Sequence, residues 1–166
     1  MDDTSPTDVS ATGVVRRDKG IFNAPESFRI EYQYANGTRM VMTSTNDEKE
    51  WGVRFVGTKG TIFTENNRLE TDPASLRSVR PKDGEVRLFE SGNHHRNFID
   101  AVLTRGQTAA PAPVAQRAAT LCHLGAISAA LGRPVKYDGK AEDFGTDVEA
   151  NAMLARPLRA PWKLSA

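Results

Sequence analysis

The chain has 166 residues, with 22 Lys and Arg against 21 Asp and Glu, a net charge of +1 and one cysteine. The length fits one domain spanning residues 1–166, and the near-neutral charge gives no basic field that would attract nucleic acid or an anionic membrane. A single cysteine excludes an internal disulfide and a multi-cysteine zinc site, and no apolar run is long enough to cross a bilayer. Residues 1–13 are predicted to be a flexible start.

Short antiparallel strands are predicted for the first half of the chain. Aromatic and apolar residues alternate with polar ones over 28–34, which is the period of a half-buried strand. Asn36-Gly37 follows and predicts a two-residue hairpin loop, which places Tyr32 opposite Val41. Strands linked by so few residues must run antiparallel. Further strands are predicted over 51–56, 61–64, 68–70 and 86–89.

Helical periodicity replaces the strand pattern in the second half. One helix carries an apolar stripe of Phe98, Ile99, Val102 and Leu103, and Gly106 is placed to end it.

A longer helix is predicted over 114–131, opened by Pro113 and closed by Gly132. It is apolar nearly all round, which is typical of a helix buried between layers. Cys122 is expected to be a buried small hydrophobe. Small side chains share one face of this helix: Ala115, Ala118, Ala119, Cys122, Ala126 and Ala129.

The last segment completes the fold prediction. Residues 146–149 match a capping box with Thr146 as the cap, and residues 155–166 are predicted to be an extended tail that packs through Trp162. Strands followed by helices indicate an α+β fold, an open and mostly antiparallel sheet with helices packed on one face.

Motifs for nucleotide, metal or nucleophile chemistry are missing from the sequence. It holds no Gly-x-Gly-x-x-Gly, no Walker phosphate loop, no His-Glu-x-x-His and no Gly-x-Ser-x-Gly. The sequence therefore predicts no cofactor-binding or metal-ligating residue, and no motif in it assigns a catalytic residue.

Four side chains are candidates for contacts with a substrate: His94, His95, Arg39 and Arg54. His94 and His95 begin the apolar stripe at a predicted helix N-terminus, where a neutral imidazole can donate a hydrogen bond or accept a proton. The alternative is that they cap the helix or face a partner domain. Arg39, beside Tyr34, and Arg54 can orient sugar hydroxyls or a carboxylate from a sheet face. The alternative for each arginine is a cation–π contact or a solvated strand face.

Segments along nearly the whole chain resemble one family. In order they are YANGTRM (34–40), GVRFVGTKG (52–60), HRNFIDAV (95–102), RAATLCHLG (117–125) with LGR (131–133), and EAN (149–151) with RPLRAPW (156–162). Together they resemble the C-terminal domain of the Gfo/Idh/MocA oxidoreductases, the family of glucose-fructose oxidoreductase and inositol dehydrogenase. Gln116 stands where many relatives have His.

The resemblance implies a sheet whose helical face meets a Rossmann domain and whose exposed face forms homo-oligomers. It also implies that full-length relatives use NAD or NADP to oxidise or reduce a sugar, inositol or related polyol. Relatives carry the dinucleotide site and a catalytic Lys upstream of this domain. We therefore expect a truncated chain or fragment that is inactive alone, has no cofactor of its own, and binds a small sugar-like ligand.

Two other functions stay open. The domain can act alone as a non-catalytic binding or homo-oligomerisation module. It can also be an enzyme that needs no dinucleotide and uses His94 or His95 as a general base.

Overall fold

The computed structural model describes residues 5–16, 19, 21, 24–44, 51–156 and 158–163. Residues 1–4 of the predicted flexible start, and residues 157 and 164–166 of the predicted tail, lie outside the described residues. The chain divides into two compact units. The first unit is formed by Met1–Asn46 and Ala112–Ala166, and the second unit by Asp47–Pro111.

The regular elements follow much the order that the sequence predicts, with most strands before the main helices. In chain order they are β1 (Asp8–Arg16), β2 (Pro25–Gln33), β3 (Arg39–Thr43), β4 (Val53–Gly57), β5 (Gly60–Glu65), β6 (Arg68–Asp72), a 3₁₀ helix (Ala74–Ser78), α1 (His94–Thr104), α2 (Ala112–Leu131), β7 (Val135–Lys136) and α3 (Val148–Asn151). No helix formed by these residues is long and apolar enough to cross a membrane.

Each unit contains its own antiparallel sheet. The first unit has four strands in the order β3-β2-β1-β7, with α2 packed on one face against β1. The second unit has three strands in the order β4-β5-β6, together with the 3₁₀ helix and α1. The predicted α+β class, with antiparallel strands before the main helices, is confirmed; the strands form two sheets.

The register of the β2–β3 hairpin differs by one residue from the prediction. Tyr32 pairs with Met40 rather than with Val41. Because side chains alternate along a strand, a shift of one residue moves every side chain of β3 to the opposite face. Met40 and Met42 therefore join the core side, while Val41 is 37% exposed.

The hairpin loop explains this shift. The Tyr34 N–H donates to the Thr38 carbonyl at 2.9 Å, so three residues rather than two connect the last paired positions. Asn36 Oδ1 accepts a hydrogen bond from the Thr38 N–H at 2.9 Å, and Gly37 adopts a positive φ of 83°. An Asx turn followed by a left-handed glycine fits a three-residue loop, which Asn-Gly supports as well as a two-residue one.

The core of the first unit lies between its sheet and α2. Tyr32 is fully buried, and its hydroxyl donates to the Leu121 carbonyl at 2.9 Å. Gly125 lets the helix approach β2, because a Cβ there would lie 2.6 Å from Ile30 Cδ1 and 2.7 Å from the Tyr32 hydroxyl. The buried core residues are Val9, Ile30, Tyr32, Leu124, Ile127, Val135, Tyr137, Phe144 and Ala150.

Within the described residues only one face of α2 is buried, so the chain itself supplies one of the two layers that the apolar sequence predicts. The buried positions are Leu124, Gly125, Ile127 and Ser128. Cys122 is exposed, which corrects its interpretation as a buried hydrophobe. The physical reason is that Leu124 and Ile127 bury more apolar area than alanine or cysteine would, and Gly125 lets this face approach the sheet closely.

Strand β1 includes residues that were predicted to belong to the flexible start. Val9 is 1% exposed and pairs with Tyr32 and Val135 in the neighbouring strands. The polar sequence around it hid this strand, since only Val9 and Ala11 reach the core cluster.

Three later segments also differ from their predicted structure. No strand forms over 86–89, where Leu88 is 92% exposed, because no neighbouring strand pairs with it. The cap of α3 is Asp147, which accepts a hydrogen bond from the Ala150 N–H at 3.1 Å, and not Thr146. In the tail that was predicted to pack, Trp162 is 68% exposed.

Candidate functional site

Arg39 lies on the face of the first-unit sheet that points away from the core. It pairs with Gln33, not with Tyr34, as a consequence of the hairpin register. Its guanidinium is 3.8 Å from the Glu31 carboxylate, which also binds Arg29 at 2.9 Å. All three side chains are more than a third exposed, so this is a solvated charge network of small energetic weight.

Arg54 stacks on an aromatic ring in the second unit. Its guanidinium carbon lies 5.0 Å from the centre of the Phe63 ring, and Arg68 lies at 5.1 Å from the same ring. Phe63 is 4% exposed. The cation–π alternative considered for Arg54 therefore describes its observed contact.

His94 and His95 are the first two residues of α1, as predicted. Asn93 caps the helix by accepting a hydrogen bond from the Arg96 N–H at 2.9 Å, so the cap is neither histidine. Both imidazoles are exposed, as is the stripe that follows them, in which Phe98 is 62% exposed. Open imidazoles at a helix start can meet a ligand or a partner surface.

The four predicted contact residues do not form one site within either unit. Arg39 belongs to the first unit, and Arg54, His94 and His95 belong to the second. Two neighbouring helical histidines also point about 100° apart, so they make a poor metal pair. Among the described residues, no three His, Cys, Asp or Glu side chains come together as a metal site requires.

A cleft that the sequence did not predict opens at one end of the first-unit sheet. Its volume is about 580 Å³. It lies where β1 begins and β7 ends, because the Tyr137 N–H donates to the Thr7 carbonyl at 3.0 Å. Lining residues include Thr7, Asp8, Lys136, Tyr137, Lys140 and Phe144. This volume is open to solvent rather than enclosed.

The loop that follows β7 forms one wall of this cleft. Tyr137 and Phe144 pack edge to face with ring centres 5.5 Å apart, and burial raises the pKa of Tyr137. Asp138 accepts hydrogen bonds from the Ala141 and Lys140 N–H groups at 3.1 and 2.8 Å. These two backbone donors lower the pKa of the Asp138 carboxyl and hold the turn. The sequence did not predict this cleft, because its lining comes from segments that are far apart in the chain.

A second, smaller cleft of about 200 Å³ adjoins the first and shares Ser5, Tyr137 and Gly139 with it. Gln116 lines it. Glu142, another lining residue, has a positive φ of 58°. Left-handed backbone at a residue other than glycine costs of order 1 kcal/mol or more and is held by its surroundings.

Comparison with known proteins agrees with this architecture. A family model described as "Oxidoreductase family, C-terminal alpha/beta domain" (GFO_IDH_MocA_C2) matches residues 1–164. Eleven chains of solved structures are similar. One is the crystal structure of an NAD-binding protein from Listeria innocua, with a TM-score of 0.51 and 12% identity over 81% of this chain. At that identity the likeness concerns the fold alone.

The chain and its relatives differ in length. This chain covers 46% of the length of the Listeria innocua protein. No curated protein matches the sequence. Since the family model extends over all but the last two residues, the chain belongs to the Gfo/Idh/MocA oxidoreductase family as its C-terminal α/β domain.

Proposed function

We propose that this domain binds substrate and mediates oligomerisation in an NAD(P)-dependent oxidoreductase that acts on a sugar, inositol or related polyol. The observation that carries the proposal is the match of the C-terminal domain model to residues 1–164. The likeness to an NAD-binding protein of which the chain covers 46% supports the same conclusion. In this proposal the 166 residues alone bind no dinucleotide and catalyse no hydride transfer.

The two faces of the first unit support separate contacts in the complete enzyme. The outer side of α2 exposes small residues such as Ala118, Cys122 and Ala126, which allow another backbone to come close. We assign this side to a Rossmann domain. The opposite face of the sheet exposes Arg29, Glu31 and Arg39, and we assign it to a second copy of the protein.

Substrate contacts are proposed for His94, His95, Arg39 and Arg54. The exposed imidazoles at the start of α1 support this role for the histidines, because nothing in the cap of the helix uses their ring nitrogens. The arginines are the weaker candidates, since each already contacts Glu31 or Phe63.

Titration of the purified chain with NADH and with NADPH, followed by nucleotide fluorescence, tests this proposal. We expect no saturable binding to the chain alone. Saturable binding in the micromolar range would contradict the proposal that this domain alone binds no dinucleotide. A Gfo/Idh/MocA enzyme with an intact dinucleotide site, titrated in parallel, is the positive control.

A second function, that of a stand-alone binding or homo-oligomerisation module, is favoured by the uncovered outer face of the first-unit sheet. Light scattering separates the two functions. A discrete, concentration-independent oligomer of the isolated chain favours the stand-alone module. Progressive, concentration-dependent association favours a domain whose natural partner surface is missing.

A further inference from the structure

The two edges of the first-unit sheet end in different ways. One edge is β7, which has only two residues and so offers little unpaired backbone. The other edge is β3, which has five residues and contains no proline, lysine or carboxylate, the residues that commonly block pairing at an edge. The middle residue of β3, Val41, is 37% exposed. Strand β3 is therefore the open edge of this sheet.

The hydrogen bonds of the β2–β3 hairpin show which backbone groups point to the open edge. The Tyr34 N–H donates to the Thr38 carbonyl at 2.9 Å, and the Ser44 N–H donates to the Phe28 carbonyl at 3.0 Å. Because bonded positions alternate along an antiparallel strand, β3 bonds to β2 through its even-numbered residues. The residues whose N–H and C=O groups point away from β2, and form no hydrogen bond to any described part of the chain, are Arg39, Val41 and Thr43.

We propose that β3 pairs with β3 of a second copy of this chain, antiparallel and about a two-fold axis at Val41. In this register each of the five residues has a partner, because Arg39 lies opposite Thr43 of the second copy. Since the outward-pointing residues meet one another, about six backbone hydrogen bonds form between the copies. The two four-stranded sheets then become one continuous sheet.

The side chains of β3 fit a second copy in this orientation. Arg39 is the one charged residue of the strand and lies at its end, so antiparallel pairing keeps the two cations apart. Parallel pairing in register would place them side by side, which is destabilising. On the core side, Met40 faces Met42 of the second copy, and both methionines already pack against the core cluster. The apolar core of one copy therefore continues into that of the other.

This edge contact is distinct from the face contact of the proposed function. The proposed function assigns a second copy to the outer face of the sheet, which exposes Arg29 and Glu31. Pairing at the edge uses backbone groups of β3 and requires neither the outer face nor a dinucleotide. Each contact can therefore fail without the other.

Sedimentation equilibrium of the full chain, Val41→Pro and Val41→Thr tests the proposal. Proline removes the N–H that points to the second copy, and it leaves the β2–β3 hydrogen bonds intact because Val41 donates none of them. We expect the natural chain to show a monomer–dimer equilibrium. Val41→Pro should weaken dimerisation about thirtyfold, since each copy loses one donor. Val41→Thr, the matched control that keeps the N–H, should change the dissociation constant by less than about threefold.

Two results of this measurement would overturn the proposal. One is a natural chain that stays monomeric at every concentration. The other is the same dissociation constant for Val41→Pro and Val41→Thr.

NMR of a mixture of isotope-labelled and unlabelled chains locates the contact without any variant. Met40 of one copy and Met42 of the other would form a non-hydrogen-bonded pair, whose Cα atoms lie about 4.5 Å apart. We therefore expect an interchain NOE between their Hα protons. A dimer that lacks this NOE and shows interchain NOEs from Arg29 and Glu31 would contradict pairing at the edge, while supporting the face contact of the proposed function.

Discussion

A single carboxylate, that of Asp147, ties the C-terminal segment to the end of α2. It receives two hydrogen bonds from the Arg133 guanidinium, at 2.7 and 2.9 Å, and caps α3 through the Ala150 N–H. The hydrogen bonds from Arg133 and Ala150 hold the pKa of Asp147 at about 2, below the ordinary value of 3.8. Glu149 adds a further contact to Arg133 at 3.1 Å.

The lowered pKa of Asp147 predicts an acid-sensitive stability. In the unfolded chain this carboxyl takes up a proton near pH 3.8, but in the folded chain it does so only near pH 2. The pair therefore stabilises the fold above pH 3.8, and its contribution is lost as the pH falls toward 2. Denaturant midpoints measured across that range should fall more steeply for the natural chain than for Asp147→Asn.

The control for this measurement is Asp83→Asn. Asp83 is fully exposed and lies 3.4 Å from Arg87, so its replacement should leave the pH dependence of stability as in the natural chain. Parallel pH curves for the natural chain and Asp147→Asn would show that the Arg133–Asp147 contact does not contribute in this way.

At the scale of elements, the seating of α2 on the first-unit sheet depends on one glycine. Gly125 faces Ile30 and Tyr32 at distances that leave no room for a side chain. Tyr32 cannot move aside freely, because it is fully buried and its hydroxyl is bonded to Leu121. This close approach brings Ser128 into position, where its Oγ accepts from the Ala11 N–H at 2.9 Å.

We predict that Gly125→Ala destabilises the fold by up to about 2 kcal/mol. Overpacking of a core contact costs about 1–3 kcal/mol, while alanine recovers up to about 1 kcal/mol of helix propensity relative to glycine. Urea unfolding measures the difference. Ala118→Ser, on the exposed side of the same helix, should change stability by no more than about 0.5 kcal/mol. A Gly125→Ala variant as stable as the natural chain would mean that the helix can shift away from the sheet.

At the scale of the whole molecule, buried side chains are unevenly distributed between the two units. The nine residues of the core cluster all belong to the first unit. In the second unit, Phe63 is the only buried side chain among the described residues. Local stability follows buried apolar contacts, so the second unit is expected to open at lower free energy than the first.

Native-state hydrogen exchange followed by NMR tests this difference. Amides of β1, β2 and α2 should exchange slowest, with free energies close to that of global unfolding. Amides of β4, β5 and β6 should exchange faster and through a separate opening. Uniform protection of both sheets would show that the second unit gains its stability from contacts other than its own core.

Local sequence patterns predicted much of the fold correctly, and non-local contacts account for what they missed. Alternation over 28–34 and the cap signals near Gly132 act within a few residues, so they identified β2 and the end of α2. Strand β1 was missed because the side chains that it adds to the core, Val9 and Ala11, are small and stand among polar residues, and the strand is held by its pairing with β2 and β7. The cleft beside Tyr137 shows the same limit, since its lining comes from residues 5–8 and 136–145, which are far apart in the chain.

The sequence by itself determined the family, the α+β class and the antiparallel arrangement, because these depend on short-range periodicity and on motifs read in order along the chain. Only the tertiary structure decided which face each side chain of β3 occupies, which side of α2 is buried, and which contacts Arg39 and Arg54 make. One extra residue in a turn reverses a strand face, and a helix that is apolar all round can bury either side. Which face of a strand or helix is buried depends on how distant segments pack, so a local sequence pattern does not predict it.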